Sequence, residues 1–254
     1  MSEPESALPL LAALQQPLNE LAAGPLEPVD VAVIDSGIDA THPDLLGRVV
    51  GACRIENKAR IEVETPGNND TFGHGTGVAS IIARTAPNAR LFDIRVLQPG
   101  NKGSGDDLLA GLQLAVRLRY RVINMSLAVS AKFVPELRAS CEHAYYQDQV
   151  VVAARRNMPI SDDGFPAEFA SVIGVDNGEV APMALRYRPK RTIEVEALGD
   201  AVTVAAAGGG YTAMSGTSFA TPLVSGICAL LLGAFPALRP YEVRAVINSY
   251  GLRG

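Results

Sequence analysis

Hydrophobic positions fall into two rhythms along this chain of 254 residues. Short, nearly unbroken apolar runs recur at "VDVAVID" (29–35), "ARLFDIRVL" (89–97), "RVINMSL" (121–127), "QVVVAA" (149–154) and "ASVIGV" (170–175). Runs of this kind, bounded by polar residues, read as strands buried on both faces. Between them lie segments with the helical period. In "SGDDLLAGLQLAVRLR" the apolar residues at 108, 112, 115 and 116 form one stripe. Ser104 is placed to cap this helix, with Asp106 and Asp107 in its positive first turn. The acid pair also has a metal-site reading, but a helix start accounts for it without one. A leucine-rich lead at 7–23 and the segments 132–148, 218–234 and 240–249 are further expected helices.

Strands alternating with helices predict an α/β fold, a three-layer doubly wound, mostly parallel sheet with helices on both faces. No linker rich in Gly, Pro or Ser divides the chain, and no internal repeat is present. The expected organisation is an N-terminal extension at 1–28 followed by one domain at 29–254. In such sheets functional groups gather at the carboxyl ends of the strands. Asp35, Ser126 and Asn157 stand at such ends.

Composition narrows the function classes. The net charge is −5 and no long basic block occurs, so nucleic acid is not an implied partner. The densest basic stretch, "RYRPKR" at 186–191, reads as a solvated loop. Cys53, Cys141 and Cys228 are scattered, form no CxxC pair and join no histidine cluster, which argues against zinc and against a disulfide framework. They fit a reducing compartment. The start, "MSEPESALPLLAALQQPL", is acidic, and Pro9 and Gln15–Gln16 interrupt its apolar part, unlike a secretory signal. No uninterrupted run of about 18 apolar residues occurs, so no membrane span is expected. The expected location is cytoplasmic, unless a larger precursor was trimmed.

Three stretches carry chemistry: "AVIDSGIDATHPDL" (32–45), "FGHGTGVAS" (72–80) and "MSGTSFATPLVSG" (214–226). Taken singly, Asp35 reads as a turn cap, His74 as a core histidine and Ser218 as a helix N-cap. Together they offer more. A serine hydroxyl becomes a nucleophile when a neutral imidazole removes its proton, and that imidazole needs a carboxylate to fix its tautomer. The glycines fit this reading: Gly73 and Gly75 permit close backbone approach, and Gly216 permits a tight turn into the helix. Pro222 falls near the start of that helix.

With "VAVIDSGID", "HGTGVAS" and "GTSFATP" in this order, the chain resembles the subtilisin-type serine proteases, from about residue 29 to 250. The resemblance implies that Asp35 orients His74, that His74 is general base and then acid, and that Ser218 is the nucleophile. It puts Asn157, after "VVAARR", in the oxyanion site with the Ser218 backbone N–H, with Thr217 nearby. It implies that Gly103, Ser104 and Gly105, and Ser126, Leu127 and Ala128, hold an extended peptide substrate by strand-like pairing. The first pocket would be walled by Ser126–Ala128 and by Ala153, Ala154, Arg155 and Arg156, with Gly164–Ala167 near its base.

The implied function is a serine endopeptidase acting on peptide or protein substrates, intracellular or dedicated to peptide processing. The rival reading is a catalytically silent fold that binds peptides or a partner. No cofactor is expected, because the calcium-holding loop that many members insert after the histidine segment is absent here. The chain departs from the pattern in several places. Arg155 and Arg156 stand where members carry small residues, glycine directly before the asparagine. If that glycine uses positive φ, Arg156 is strained by about 1–3 kcal/mol. Otherwise the arginine narrows the first pocket or donates to an acidic or C-terminal carboxylate of the substrate, both guanidinium groups point to solvent, or the oxyanion site is damaged. Gly77 and Leu223 stand where further histidines are common. Residues 1–28 are too few for a folded inhibitory domain, though enough for a short blocking segment. The sequence sets no oligomeric state.

Overall fold

Residues 7–63, 66–100, 102–129, 131–157 and 164–253 are described by the structure, a computed structural model of the chain. Two short helices, α1 (Ala7–Gln15) and α2 (Leu18–Leu21), precede β1 (Val29–Asp35). An edge hairpin follows, β2 (Val49–Glu56) and β3 (Ala59–Val63), then α3 (His74–Thr85) and β4 (Ala89–Arg95). A small two-stranded ladder, β5 (Leu97–Gln98) and β6 (Lys102–Gly103), leads into α4 (Gly105–Arg117). The central strands continue with β7 (Val122–Met125), β8 (Val150–Ala154) after α5 (Val134–Tyr146), and β9 (Val172–Asn177). Then come β10 (Leu185–Tyr187), β11 (Val195–Ala197), the ladder β12 (Val202–Ala205) with β13 (Tyr211–Met214), and the helices α6 (Thr217–Ala234) and α7 (Pro240–Arg253).

Nine strands form one sheet in the order β10-β11-β9-β8-β7-β1-β4-β2-β3. Pairing is parallel from β11 through β2, and only the edge strands β3 and β10 run antiparallel. The sheet separates two cores, and the alternation along each strand shows how. Val31 and Val33 of β1 pack with Val78, Phe219 and Val243 of α3, α6 and α7. Ala32 and Ile34 face the other way, onto Leu108, Leu112 and Leu137 of α4 and α5. Period-2 side-chain alternation thus places helices on both faces, as the apolar runs predict.

Several expected elements change. The lead at 7–23 is two helices, because Pro17 adopts extended backbone (ψ 143) and restarts the chain as the N-cap of α2. The hairpin β2–β3 has no counterpart in the sequence reading. It turns at Asn57 and Lys58, both at positive φ, and its burial is too mixed to stand out. Ser104 does cap α4, its Oγ accepting from the Asp107 N–H at 3.0 Å. The Asp106 and Asp107 carboxylates are both engaged by Lys58, through its ammonium (2.9 Å) and its backbone N–H (2.7 Å).

Helix α6 has the length and mean hydropathy (1.6) of a membrane span, but 89% of it is buried inside the protein. It is the central helix of one core layer. The N-terminal helices dock on its far end and on α7. Ala13 and Leu21 are fully buried, the Glu27 N–H donates to the Gly233 carbonyl (3.0 Å), and the Tyr250 hydroxyl donates to the Gln16 carbonyl (3.3 Å).

Candidate active site

Asp35 ends β1 and is wholly buried. Its Oδ1 accepts from the Ser36 N–H and lies 2.7 Å from His74 Nδ1. Its Oδ2 is buried without a hydrogen-bond partner among the described residues. His74 opens α3 directly after Gly73, which turns the chain at φ 95°. The carboxylate fixes Nδ1 as the donor nitrogen and leaves Nε2 as the basic one. Burial opposes the charged imidazole, but the Asp35 carboxylate, with a contribution from Asp70, outweighs it and raises the His74 pKa.

Asp70 joins the turn after β1 to the start of α3. Its carboxylate accepts from Ser36 Oγ (2.8 Å), from the N–H groups of Phe72, Gly73 and Thr76, and from the Thr76 hydroxyl. Ser36 Oγ accepts in turn from the Gly75 N–H at 2.9 Å. The two segments lie so close that a Cβ on Gly75 would sit 2.2 Å from the Gly37 carbonyl oxygen. Asp93 on β4 ties the same turn from below. Its Oδ2 accepts from the Ile38 N–H (3.0 Å) and from Asn69 Nδ2 (2.8 Å), and burial pushes its pKa up to about 7.

Ser218 is the second residue of α6, so its N–H belongs to the unpaired first turn of a long helix, at the positive end of the dipole. Its Oγ donates to the Ser126 carbonyl at 2.9 Å rather than to His74. Ser126 is held by a buried polar chain: Asn124 Nδ2 donates to Ser126 Oγ (3.1 Å), and Ser225 Oγ donates to Asn124 Oδ1 (2.8 Å). Asn157 stands exposed three residues beyond β8. Its Oδ1 accepts from the Thr217 N–H and lies 3.0 Å from the Thr217 hydroxyl, so its amide NH₂ is turned away from Thr217, with no acceptor among the described residues. Two N–H donors therefore flank the start of α6.

The other candidate positions separate. Ser126 lies beside Ser218, and Leu127 and Ala128 follow it in the chain. Ala153 and Ala154 do not line a surface: at 0% and 1% exposure they are the buried end of β8, and the chain reaches solvent only from Arg155 onward. Thr217 is likewise buried, its hydroxyl donating to the Arg155 carbonyl (2.6 Å). Gly103 pairs with Leu97, whose carbonyl accepts from Thr71 Oγ1 near His74. Ser104 and Gly105 start α4, where Gly105 packs against the Phe133 ring.

Neither arginine points freely into solvent. Arg155 Nη1 lies 3.1 Å from Asp176 Oδ2, and Arg156 Nη2 donates to the Val129 carbonyl at 2.8 Å. Arg156 is not among the residues at positive φ, so the backbone strain considered for it is absent. His42 has a structural place, with Nε2 on the Gly210 carbonyl and Nδ1 accepting the Asp44 N–H. Sequence reading missed Asn124, Asp70 and Asp93. Their signal is a polar residue inside, or directly before, an apolar or glycine-rich run.

Residues 27–250 match the family described as "Subtilase family". The chain is 33% identical over 235 residues to subtilisin DY of Bacillus licheniformis, covering 87% of this chain and 82% of that protein. It is 33% identical over 218 residues to an intracellular serine protease of Paenibacillus polymyxa, covering 80% and 66%. Against the thermostable alkaline protease of Halalkalibacterium halodurans it is 33% identical over 231 residues, spanning 86% of this chain but only 60% of that protein. Of solved structures, Sphericase superposes with a TM-score of 0.72 at 24% identity, over 90% of this chain and 86% of that one. The S41 psychrophilic protease gives 0.74 at 23%, over 91% and 88%. Identities this low speak to the shared fold. By family match and by sequence identity, this chain belongs to the subtilase family of serine proteases.

Proposed function

We propose that this chain is a serine endopeptidase using Asp35, His74 and Ser218, with Asn157 and the Ser218 N–H binding the oxyanion. The observation that carries the reading is the 2.7 Å contact between His74 Nδ1 and the buried Asp35 carboxylate, which leaves Nε2 to accept a proton. For reaction the Ser218 hydroxyl turns from the Ser126 carbonyl toward that nitrogen. Its Oγ then attacks the peptide carbonyl carbon as its proton passes to Nε2. The developing O⁻ is met by the Asn157 amide and the Ser218 N–H. The C–N bond breaks as Nε2–H protonates the leaving amine, and water then releases the acyl group by the same steps in reverse roles.

The substrates are peptides or proteins, and the site of action is the cell interior, in general turnover or in processing of a precursor. Two facts support the location. The chain resembles a protein named an intracellular serine protease, and Cys53, Cys141 and Cys228 are all buried free thiols. The rest position of Ser218 on the Ser126 carbonyl favours one second reading, a silent peptide-binding fold. Covalent labelling separates the two. A fluorophosphonate probe is expected to modify folded wild type at Ser218, located by peptide mass, and not Ser218→Ala. Folded wild type that takes no label overturns the peptidase reading.

A further inference from the structure

Strands β7 and β8 are parallel neighbours, paired from Val122–Val150 to Met125–Ala153. Past their carboxyl ends the two chains part, one as Ser126–Val129 and the other as Arg155–Asn157. A crevice opens where adjacent parallel strands diverge. The start of α6 stands at its mouth and touches both walls. Ser218 Oγ reaches the Ser126 carbonyl at 2.9 Å, and Thr217 bonds both the Arg155 carbonyl and Asn157. A substrate residue whose carbonyl lies at Ser218 therefore sends its side chain between these walls.

Contacts cross the crevice. At its floor Gly164, at φ +102°, packs so tightly that an added Cβ would lie 3.0 Å from Arg156 Cβ and 3.2 Å from Ala128 Cβ. At its end the Val129 N–H donates to the Phe165 carbonyl at 3.0 Å. The backbone of Arg156 belongs to one wall, while its Nη2 donates to the Val129 carbonyl of the other at 2.8 Å. The side chain is thus fixed at both ends, with unstrained φ. Its neighbour Arg155 turns the opposite way, into a separate recess of about 240 Å³ with Asp176, Arg188 and Glu196. One arginine of the pair crosses the crevice and the other leaves it open.

We infer that Arg156 is a specificity-determining residue that spans the crevice beside Ser218 and restricts it to small, uncharged side chains, those of glycine, alanine and serine. This rests on the peptidase reading above and names the substrate class for that same site. A long or aromatic side chain has to displace the guanidinium and break its hydrogen bond to Val129, whereas a methyl or hydroxymethyl group does not.

The test is an internally quenched peptide library varied at the residue preceding the cleaved bond, read as kcat/KM by mass-resolved products. Wild type, Arg156→Gly and Arg156→Gln are compared, with fluorophosphonate labelling and a thermal melt on each sample. Wild type is expected to cleave after alanine, glycine or serine at least about tenfold faster than after leucine, phenylalanine or tyrosine, the scale of a steric pocket effect. R156G is expected to gain about tenfold or more on the large residues. R156Q, uncharged and shorter by two bonds, leaves a side chain in the crevice without the bond to the Val129 carbonyl and is expected to show a preference for small residues between those of wild type and R156G. Wild type that cleaves equally well after leucine or phenylalanine overturns the inference. So does a labelled R156G with an unchanged profile, or a preference for aspartate or glutamate that both variants lose. Wild type that is folded but unlabelled overturns the peptidase reading itself, a distinct result from label with a flat profile.

Discussion

Thr217 holds Asn157 Oδ1 through its N–H at 2.9 Å, and its hydroxyl, which donates to the Arg155 carbonyl at 2.6 Å, lies 3.0 Å from the same oxygen. The residue before the nucleophile thereby sets which way the amide of the proposed oxyanion donor faces. Asn157→Ala is expected to lower kcat by about 10²–10³ with little change in KM, since the donor acts on charge that forms in the transition state. Thr217→Val keeps the N–H and loses only the hydroxyl, at a cost of about 1 kcal/mol, or roughly fivefold in kcat. Steady-state kinetics on a peptide amide reads both. Equal losses for the two variants would contradict the division of labour.

His74 has to be neutral to take the serine proton, and its pKa lies above the ordinary imidazole value because the Asp35 carboxylate outweighs burial. The acidic limb of the kcat/KM profile is therefore expected at a pH above 6.5, the ordinary value. The linkage to stability has the opposite sense. A group whose pKa rises on folding adds stability that is complete below its unfolded pKa and lost as pH rises through the folded one. Activity is thus expected to increase over the window in which this part of the stability is lost. Asp35→Asn is expected to lower kcat by about 10³–10⁴, through loss of the correct tautomer. A pH–rate profile of wild type and variant checks both points.

Asp93 contributes to stability with the reverse dependence of an ordinary surface acid. Burial raises it to about 7 from 3.8, so the folded chain holds this proton more tightly than the unfolded chain. Stability falls as pH rises between those two values, and the penalty is complete above the higher one. Asp93→Asn keeps an oxygen to accept from Ile38 N–H and Asn69 Nδ2 and carries no charge. Its melting temperature is expected to exceed that of wild type by a few degrees at about pH 8, and by less at about pH 5. Differential scanning fluorimetry across that range, on Ser218→Ala backgrounds to prevent self-digestion, gives the answer. A gain independent of pH would show that Asp93 does not titrate there.

Gly77 shows why α3 tolerates no second histidine at this position. A Cβ there would meet Val204 Cγ2 at 2.9 Å and Phe219 Cε1 at 3.3 Å. Gly77→Ala is expected to destabilise the fold by about 1–3 kcal/mol through overpacking. Val204→Ala is expected to restore part of the loss in the double variant, because the two sites touch. Urea unfolding of the four proteins closes the cycle, and additive effects would count against the packing argument.

Much of this structure is legible in the sequence. Buried parallel strands announce themselves as apolar runs, and Asp35, His74 and Ser218 stand in glycine-bracketed stretches whose residue types have few other joint uses. What escaped reading is the set of polar groups whose partners lie far along the chain. Asn124 sits inside an apolar strand and meets Ser225 across 101 positions. Asp93 meets Ile38 across 55. The side to which Arg156 turns depends on where the Val129 carbonyl lies, and local sequence carries no record of that. The hairpin β2–β3 escaped for another reason: an edge strand is half solvated, so its hydrophobic pattern is diluted.

The seating of Ser218 on α6 carries a consequence for how the protein fails. Every residue from Phe219 to Gly233 is buried, and the strands β7, β8 and β9 pack against that helix. Elements buried in this way open to solvent only when the whole domain opens, while a residue such as Asn157, exposed past its strand, moves without that cost. Hydrogen exchange would therefore find the nucleophile on the slowest-exchanging segment and the proposed oxyanion amide beside a faster one. On heating, activity would decline first through a loosened Asn157 and vanish only with global unfolding.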